Sequence, residues 1–181
     1  MVHAHRTINA DLAGTGVDGS PAGLRAQLAR HALLPLRLFL GVTFLYAGID
    51  KLTDRAFLAA GGAGSLGEML RQVHDAAALP QLVDLAQKSP VGFGYAIAAG
   101  EIAVGLGTLL GLLGRLAAFG GALISLTLWL TVSWATTPYY YGNDLAYLVA
   151  WLPLVLAGTP RFSLDAVVAM RRKRHGAQLF G

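Results

Sequence analysis

An all-α membrane protein, a four-helix transmembrane bundle with a helical outer loop between the first and second spans, is the fold class this sequence predicts. Three observations predict it. Apolar residues make up 55% of the chain and charged residues only 13%, with a mean hydropathy of +0.54, which leaves too little polar surface for a soluble domain. Apolar stretches long enough to cross a bilayer recur along the chain. Near the middle of one of them sits an acid, Glu101, which at bilayer depth is costly and normally faces a bundle interior or a water-filled cavity.

Residues 1–30 mix Gly, Ala, Asp, Ser and Arg without a hydrophobic period and without the short apolar core of a secretory signal, so a disordered cytoplasmic arm is expected there. His3 and His5 are too few to hold a metal, and no metal is expected anywhere in the chain. The membrane domain is expected over residues 31–168, with spans at about 31–52, 91–113, 115–136 and 143–160. Each must be helical, because backbone groups in lipid have to be satisfied within their own segment.

The first span has an uncharged centre flanked by Arg37 at one end and by Asp50 and Lys51 at the other, from where long basic side chains can snorkel to the interface. The loop at 53–90 carries a glycine-rich piece followed by an amphipathic stretch. Leu66, Met69, Leu70, Val73 and Ala77 recur there at helical spacing, which predicts one or two short helices interrupted near Pro80, as a plain cover for the loop ends or as a lid or docking element. On the second span Gly94, Ala98, Glu101, Gly105 and Thr108 share one face, so the carboxylate lies on the small-residue surface where helices approach closely and points into the bundle.

On the third span Gly121, Ser125, Trp129 and Ser133 repeat every fourth residue, a second narrow face that either packs plainly or brings hydroxyls to the Glu101 helix. Asp144, beside Asn143, opens the fourth span as a helix N-cap or as an acid facing a ligand. Tyr147 and Trp151 lie on the same helix face as that acid, and Pro153 follows them. After it, Ser163 and Asp165 cap a last helix through Met170, and residues 169–181 form a basic tail.

Orientation follows from the basic residues. Arg6, Arg25, Arg30, Arg37, Arg115, Arg161 and the Arg171–Arg174 cluster fall on one side, which marks it as cytoplasmic together with both termini. The tyrosines at 139–141 and Trp134 then fall at the outer interface. The net charge of +4 comes mainly from the C-terminal cluster, which suits anionic lipid and argues against a nucleic-acid partner. With no cysteine, the chain has no disulfide, no thiolate nucleophile and no cysteine-held iron-sulfur cluster, so any redox role must borrow its chemistry.

Arg37 is the candidate to neutralise Glu101, since both are expected at similar depths. In the alternative, Arg37 snorkels to headgroups and Glu101 holds a proton. Glu101, Arg37 and Asp144 are therefore the candidate catalytic residues, and Tyr147, Trp151 and Trp129 the candidate ring-binding ones.

Several short motifs occur in a telling order: Arg37-Leu-Phe-Leu-Gly41, Tyr46-Ala-Gly-Ile-Asp-Lys51, Gly100-Glu101, Gly114-Arg115, Asn143-Asp144-Leu145 and Gly158-x4-Ser163-Leu-Asp165. Together they resemble the DoxX/DoxD family of bacterial and archaeal membrane proteins over about residues 33–168. The long outer loop is more similar to DoxD, the small subunit of thiosulfate:quinone oxidoreductase. The resemblance implies a four-helix bundle in the cytoplasmic membrane, tied to thiosulfate oxidation, quinone reduction or redox defence. It also implies a quinone acceptor, a soluble or membrane redox partner, and recurring polar positions at Arg37, Lys51, Glu101, Arg115 and Asp144. Two other readings stand beside a catalytic one: a membrane scaffold that recruits soluble redox partners, and a small-molecule or proton pathway around the midplane acid. A homo-oligomer is compatible with the Gly107-x3-Gly111 spacing.

Overall fold

The computed structural model describes residues 31–158, together with Arg25, Leu28 and Ala29. All elements below belong to the compact unit that begins at Leu33. The expected N-terminal arm, the Ser163-capped helix and the basic tail lie outside the described residues. Six α-helices and no strand occur among the described residues: α1 (Leu34–Thr53), α2 (Leu66–Val73), α3 (Pro80–Gln87), α4 (Pro90–Leu110), α5 (Gly114–Thr131) and α6 (Asn143–Ala157). Single 3-10 turns at His74–Ala76 and Tyr139–Tyr141 complete the set.

The four longer helices close a ring of contacts, α1 along α4, α4 against α5, α5 along α6 and α6 back on α1. Glycines set the registers. A Cβ at Gly48 would meet the Ala98 carbonyl at 2.6 Å, and one at Gly105 would meet the Leu45 amide at 2.6 Å, so α1 and α4 touch backbone to backbone and run antiparallel. Gly100 faces Ile124 and Gly107 faces Ala117, which makes α4 and α5 antiparallel, and Gly121 under the Trp151 ring together with Gly158 beside Arg115 does the same for α5 and α6. The expected face of α4 is the buried one: Gly94, Ala98, Glu101, Gly105 and Thr108 all turn inward. Between the helices sits a core of Leu40, Phe44, Val104, Ala118, Trp151 and Leu154.

Three of the four long helices end short of expectation. α4 stops at Leu110, three residues early, because Gly111 takes the left-handed conformation (φ 64°) and Leu112 donates back to the Gly107 carbonyl at 2.9 Å. α5 ends at Thr131 rather than 136, where Ser133 turns back to the Leu128 carbonyl. α6 ends at Ala157, with Gly158 at φ 71°. Hydropathy continues past the first two of these points, whereas the backbone ends where a residue able to take positive φ, or a polar turn, allows it.

Among the described residues, α4 and α5 are long and apolar enough to cross a membrane. α1 is as long but contains Arg37, Asp50 and Lys51, and α6 is shorter at 15 residues. The outward faces are apolar: Leu38, Phe39, Val42 and Ile49 on α1, Leu116, Phe119 and Leu123 on α5, and Val149, Leu152 and Leu156 on α6 are all exposed.

The 54–89 segment folds over one end of this group. Asp54 accepts from the Ala56 and Phe57 amides, an Asx turn that leads the chain off α1. Ser65 caps α2 by accepting from the Glu68 amide at 3.3 Å. Arg71 at 2.5 Å, helped by the Gln72 amide, holds the Glu68 carboxyl below the ordinary carboxylate value. Phe57, Leu66, Leu70, Val83 and Ala86 form a second core under these helices. Of the expected apolar set, Met69 is the exception, being exposed. The turn before α3 is pinned to α5, since Ala78 and Leu79 both donate to the Leu130 carbonyl, at 2.9 and 3.3 Å, and so satisfy an acceptor freed at that helix end.

Candidate functional site

Glu101 is 3% exposed and is met by Lys51, whose Nζ stands 3.0 Å from Oε1 and 2.9 Å from Oε2. The bond to Oε1 has hydrogen-bond geometry; Oε2 shares the charge without a directed bond from any described residue. The pairing follows from the register. Gly48 lies beside Ala98 and Ile102, so Lys51 starts about one turn beyond Glu101, and helical side chains lean toward their own N-terminus, which brings the ammonium back to the acid's level.

Arg37 does not pair with Glu101, contrary to one of the sequence-based alternatives. Its Nε donates to the Thr108 carbonyl at 2.7 Å and its guanidinium donates to the Leu109 carbonyl at 2.8 Å, so it caps the C-terminal end of α4. Thr108 is seven residues past Glu101, about 10 Å along the helix, beyond the reach that similar depths suggested. The sequence did hold the signal for Lys51. Arg37, Gly41, Phe44, Gly48 and Lys51 follow the same helical spacing as the Glu101 face, so Lys51 shares the small-residue surface of α1.

Asp144 is not a cap. The N-cap position of α6 is Gly142, and Asp144 lies in the first turn, where its carboxylate accepts from the Ser133 hydroxyl. It stands within electrostatic range of both Lys51 and Glu101. With both carboxylates ionised, one ammonium therefore faces two negative charges.

A cavity of about 220 Å³ opens beside this cluster. Phe57, Leu70, Val83 and Phe93 are among its apolar walls, and Lys51 and Asp144 are its charged residues. Glu101 is not on the wall. It lies behind Lys51 and holds the ammonium in place.

The three candidate aromatic residues are not on the wall either. Trp151 is fully buried, packed over Gly121 and edge-on to Phe44 at 5.0 Å. Tyr147 also sits edge-on to Phe44, at 6.1 Å, and Trp129 packs with Trp134 at 5.2 Å. Trp151 and Tyr147 fill space between helices, Trp129 packs on the turn that follows its own helix, and the rings that reach the cavity are Phe57 from the loop and Phe93 from the first turn of α4. A loop phenylalanine has no helical period to announce its direction, which is why spacing missed it. Arg115, the remaining recurring polar position, donates to the Leu156 carbonyl at 3.2 Å and closes the far end of α6.

Helices with apolar outward faces, a buried glutamate paired with a half-buried lysine and an apolar cavity ending in charge define a helical membrane protein with a polar centre. The family model described as TQO small subunit DoxD matches residues 32–179, and the chain belongs to that family. Family and apolar helices together indicate a membrane location. No curated protein and no solved structure matches the chain.

Proposed function

We propose that this chain is the integral membrane subunit of a quinone-linked oxidoreductase, and that the cavity beside Lys51 receives the acceptor's ring. In this reading α1, α4, α5 and α6 are four membrane crossings of a bacterial or archaeal cytoplasmic membrane. Both termini are cytoplasmic, and the 54–89 loop lies outside. The shorter α6 crosses with its ends in the interfaces, and the exposed Tyr139–Tyr141 turn suits the outer interface.

The observation that carries the reading is the cavity's chemistry. Its walls are apolar and aromatic, it is large enough for a single substituted ring, and its one polar end offers the Lys51 ammonium as donor to a carbonyl oxygen. A small hydrophilic dianion such as thiosulfate fits poorly, because it would leave water for apolar walls and meet Asp144 and Glu101 as well as Lys51. Oxidation of the donor is therefore assigned to a soluble or membrane partner subunit, and this chain to the acceptor. A bound quinone supplies two-electron, two-proton redox chemistry. Lys51 orients its carbonyl, Glu101 holds Lys51, and Asp144 is the acid nearest the ring.

Titration of the purified protein with a short-chain quinone, followed by quenching of tryptophan fluorescence, tests this. Saturable quenching is expected, weakened in Lys51→Gln and lost in Ala86→Phe, which fills the cavity without touching the ion pair. Linear, unsaturable quenching that is equal in all three proteins would refute the site.

One observation favours a second reading, a proton pathway. The Thr108 and Ser125 hydroxyls are buried on the inward faces of α4 and α5 with no hydrogen-bond partner among the described residues. Buried groups of this kind commonly hold water. Proton flux into liposomes that is lost in Glu101→Gln would support this reading, and flux unchanged by the substitution would end it.

A further inference from the structure

We infer that His74 is a proton-operated clasp on the two short helices that roof the cavity, an inference that rests on reading the cavity as the binding site. α2 and α3 supply Met69, Leu70, Leu82, Val83 and Ala86 to its wall, so their relative position sets the roof. His74 sits in the turn that joins them. Its Nδ1 lies 2.8 Å from Asp75 Oδ1 and its Nε2 lies 2.9 Å from Asp84 Oδ1.

A neutral imidazole carries one N–H and one lone pair, whereas an imidazolium carries two N–H donors. Here both ring nitrogens face carboxylate oxygens, so only the imidazolium satisfies both. Loss of the proton turns a lone pair toward a carboxylate less than 3 Å away, and that contact becomes repulsive. The two acids differ in what they hold. Asp75 is the neighbouring residue and its bond spans nothing, whereas Asp84 lies on α3 and its bond ties α3 to the end of α2.

Among the described residues, Asp75 from the turn and Asp84 from α3 are the charged groups facing the ring, and Glu68 and Arg71 are paired with each other. The ring is part-exposed, so its proton exchanges freely with water. Bonds to Asp75 and then Asp84 raise the His74 pKa above its ordinary 6.5. The clasp is therefore complete below that ordinary value and is lost as pH rises through the raised one. A roof that loosens toward alkaline pH would give a ring-sized ligand quicker passage to Lys51.

Hydrogen exchange of backbone amides in residues 74–87 of the full chain in lipid nanodiscs, corrected for the intrinsic pH dependence, tests the clasp. In the unaltered protein, exchange is expected to be about two- to fivefold faster at high pH than at low pH, the range exposed ion pairs support. His74→Gln should exchange at the faster rate at both, and Asp84→Asn should resemble it. Equal protection at both pH values in the unaltered protein would overturn the clasp, as would an unchanged pH dependence in His74→Gln. A second measurement separates this from the cavity reading: the rate at which a short-chain quinone quenches tryptophan fluorescence should rise with pH in the unaltered protein only. The expected exchange pattern without saturable quenching at either pH would leave the clasp standing and remove its ligand.

Discussion

Replacing Lys51 with Met removes the ammonium that meets Glu101 and leaves a carboxylate with a 4% exposed side chain among helices. Removing one partner of a buried pair costs ~3–5 kcal/mol; because the Lys51 side chain is 24% exposed and water reaches that side of the pair, the expected loss is about 2–4 kcal/mol. Glu101→Leu alone should cost less, about 1–2 kcal/mol, because the orphaned ammonium can turn toward the cavity mouth and Asp144. The double variant should recover most of the loss, since an ion pair replaced by apolar groups of similar volume is often neutral. Equilibrium unfolding of the four proteins in mixed micelles, arranged as a double-mutant cycle, yields the coupling. A single Lys51→Met loss below about 0.5 kcal/mol, or a double variant that simply sums the singles, would refute the buried pair.

Arg37→Lys should destabilise the protein by at least about 1.5 kcal/mol, because an ammonium cannot reproduce the guanidinium's bonds to the Thr108 and Leu109 carbonyls. The same unfolding assay checks it, and activity at the Lys51 site should change little. Gly121→Val should be among the most damaging single changes, because even a Cβ there overlaps the Trp151 ring. Overpacking of this kind typically costs ~1–3 kcal/mol, and it should shift tryptophan emission. Since the chain has no cysteine, Lys51→Cys provides a single thiol. A membrane-impermeant maleimide should label it from the outer face of oriented vesicles, and labelling from the cytoplasmic face would invert the orientation.

Much of this arrangement was legible from spacing alone. The inward face of α4 and a helical loop broken near Pro80 follow from helical periodicity and proline chemistry, and of the one or two loop helices expected two form. What spacing does not encode is register between helices. Arg37 and Lys51 share one face of α1, and which of them meets Glu101 depends on how far α1 slides along α4. Gly41, Gly48 and Gly105 set that slide through backbone contact. Trp151 illustrates a second limit. An aromatic residue next to an acid on a helix face suggests a ligand, but opposite Gly121 the indole has a ready-made slot and becomes core.

The same register determines from which end the polar centre can be reached. On the side of Glu101 nearer Arg37, Leu40, Phe44, Val104, Trp151 and Leu154 close the interior, and the α4 carbonyls beyond them are capped by Arg37. On the other side the cavity begins at Lys51, and its roof is two short helices held by a turn pinned to Leu130 and by the His74 bonds. Short elements with few buried contacts open at lower free energy than long helices packed on one another. A molecule that reaches Lys51 therefore comes from the loop end, past the roof, and proton exchange with the Lys51–Glu101–Asp144 cluster runs through the same end. This one-sidedness separates the two functional readings. An acceptor site needs only the loop end open, whereas a transmembrane proton pathway must also wet the Thr108 hydroxyl across the apolar plug, so the present packing favours the acceptor site.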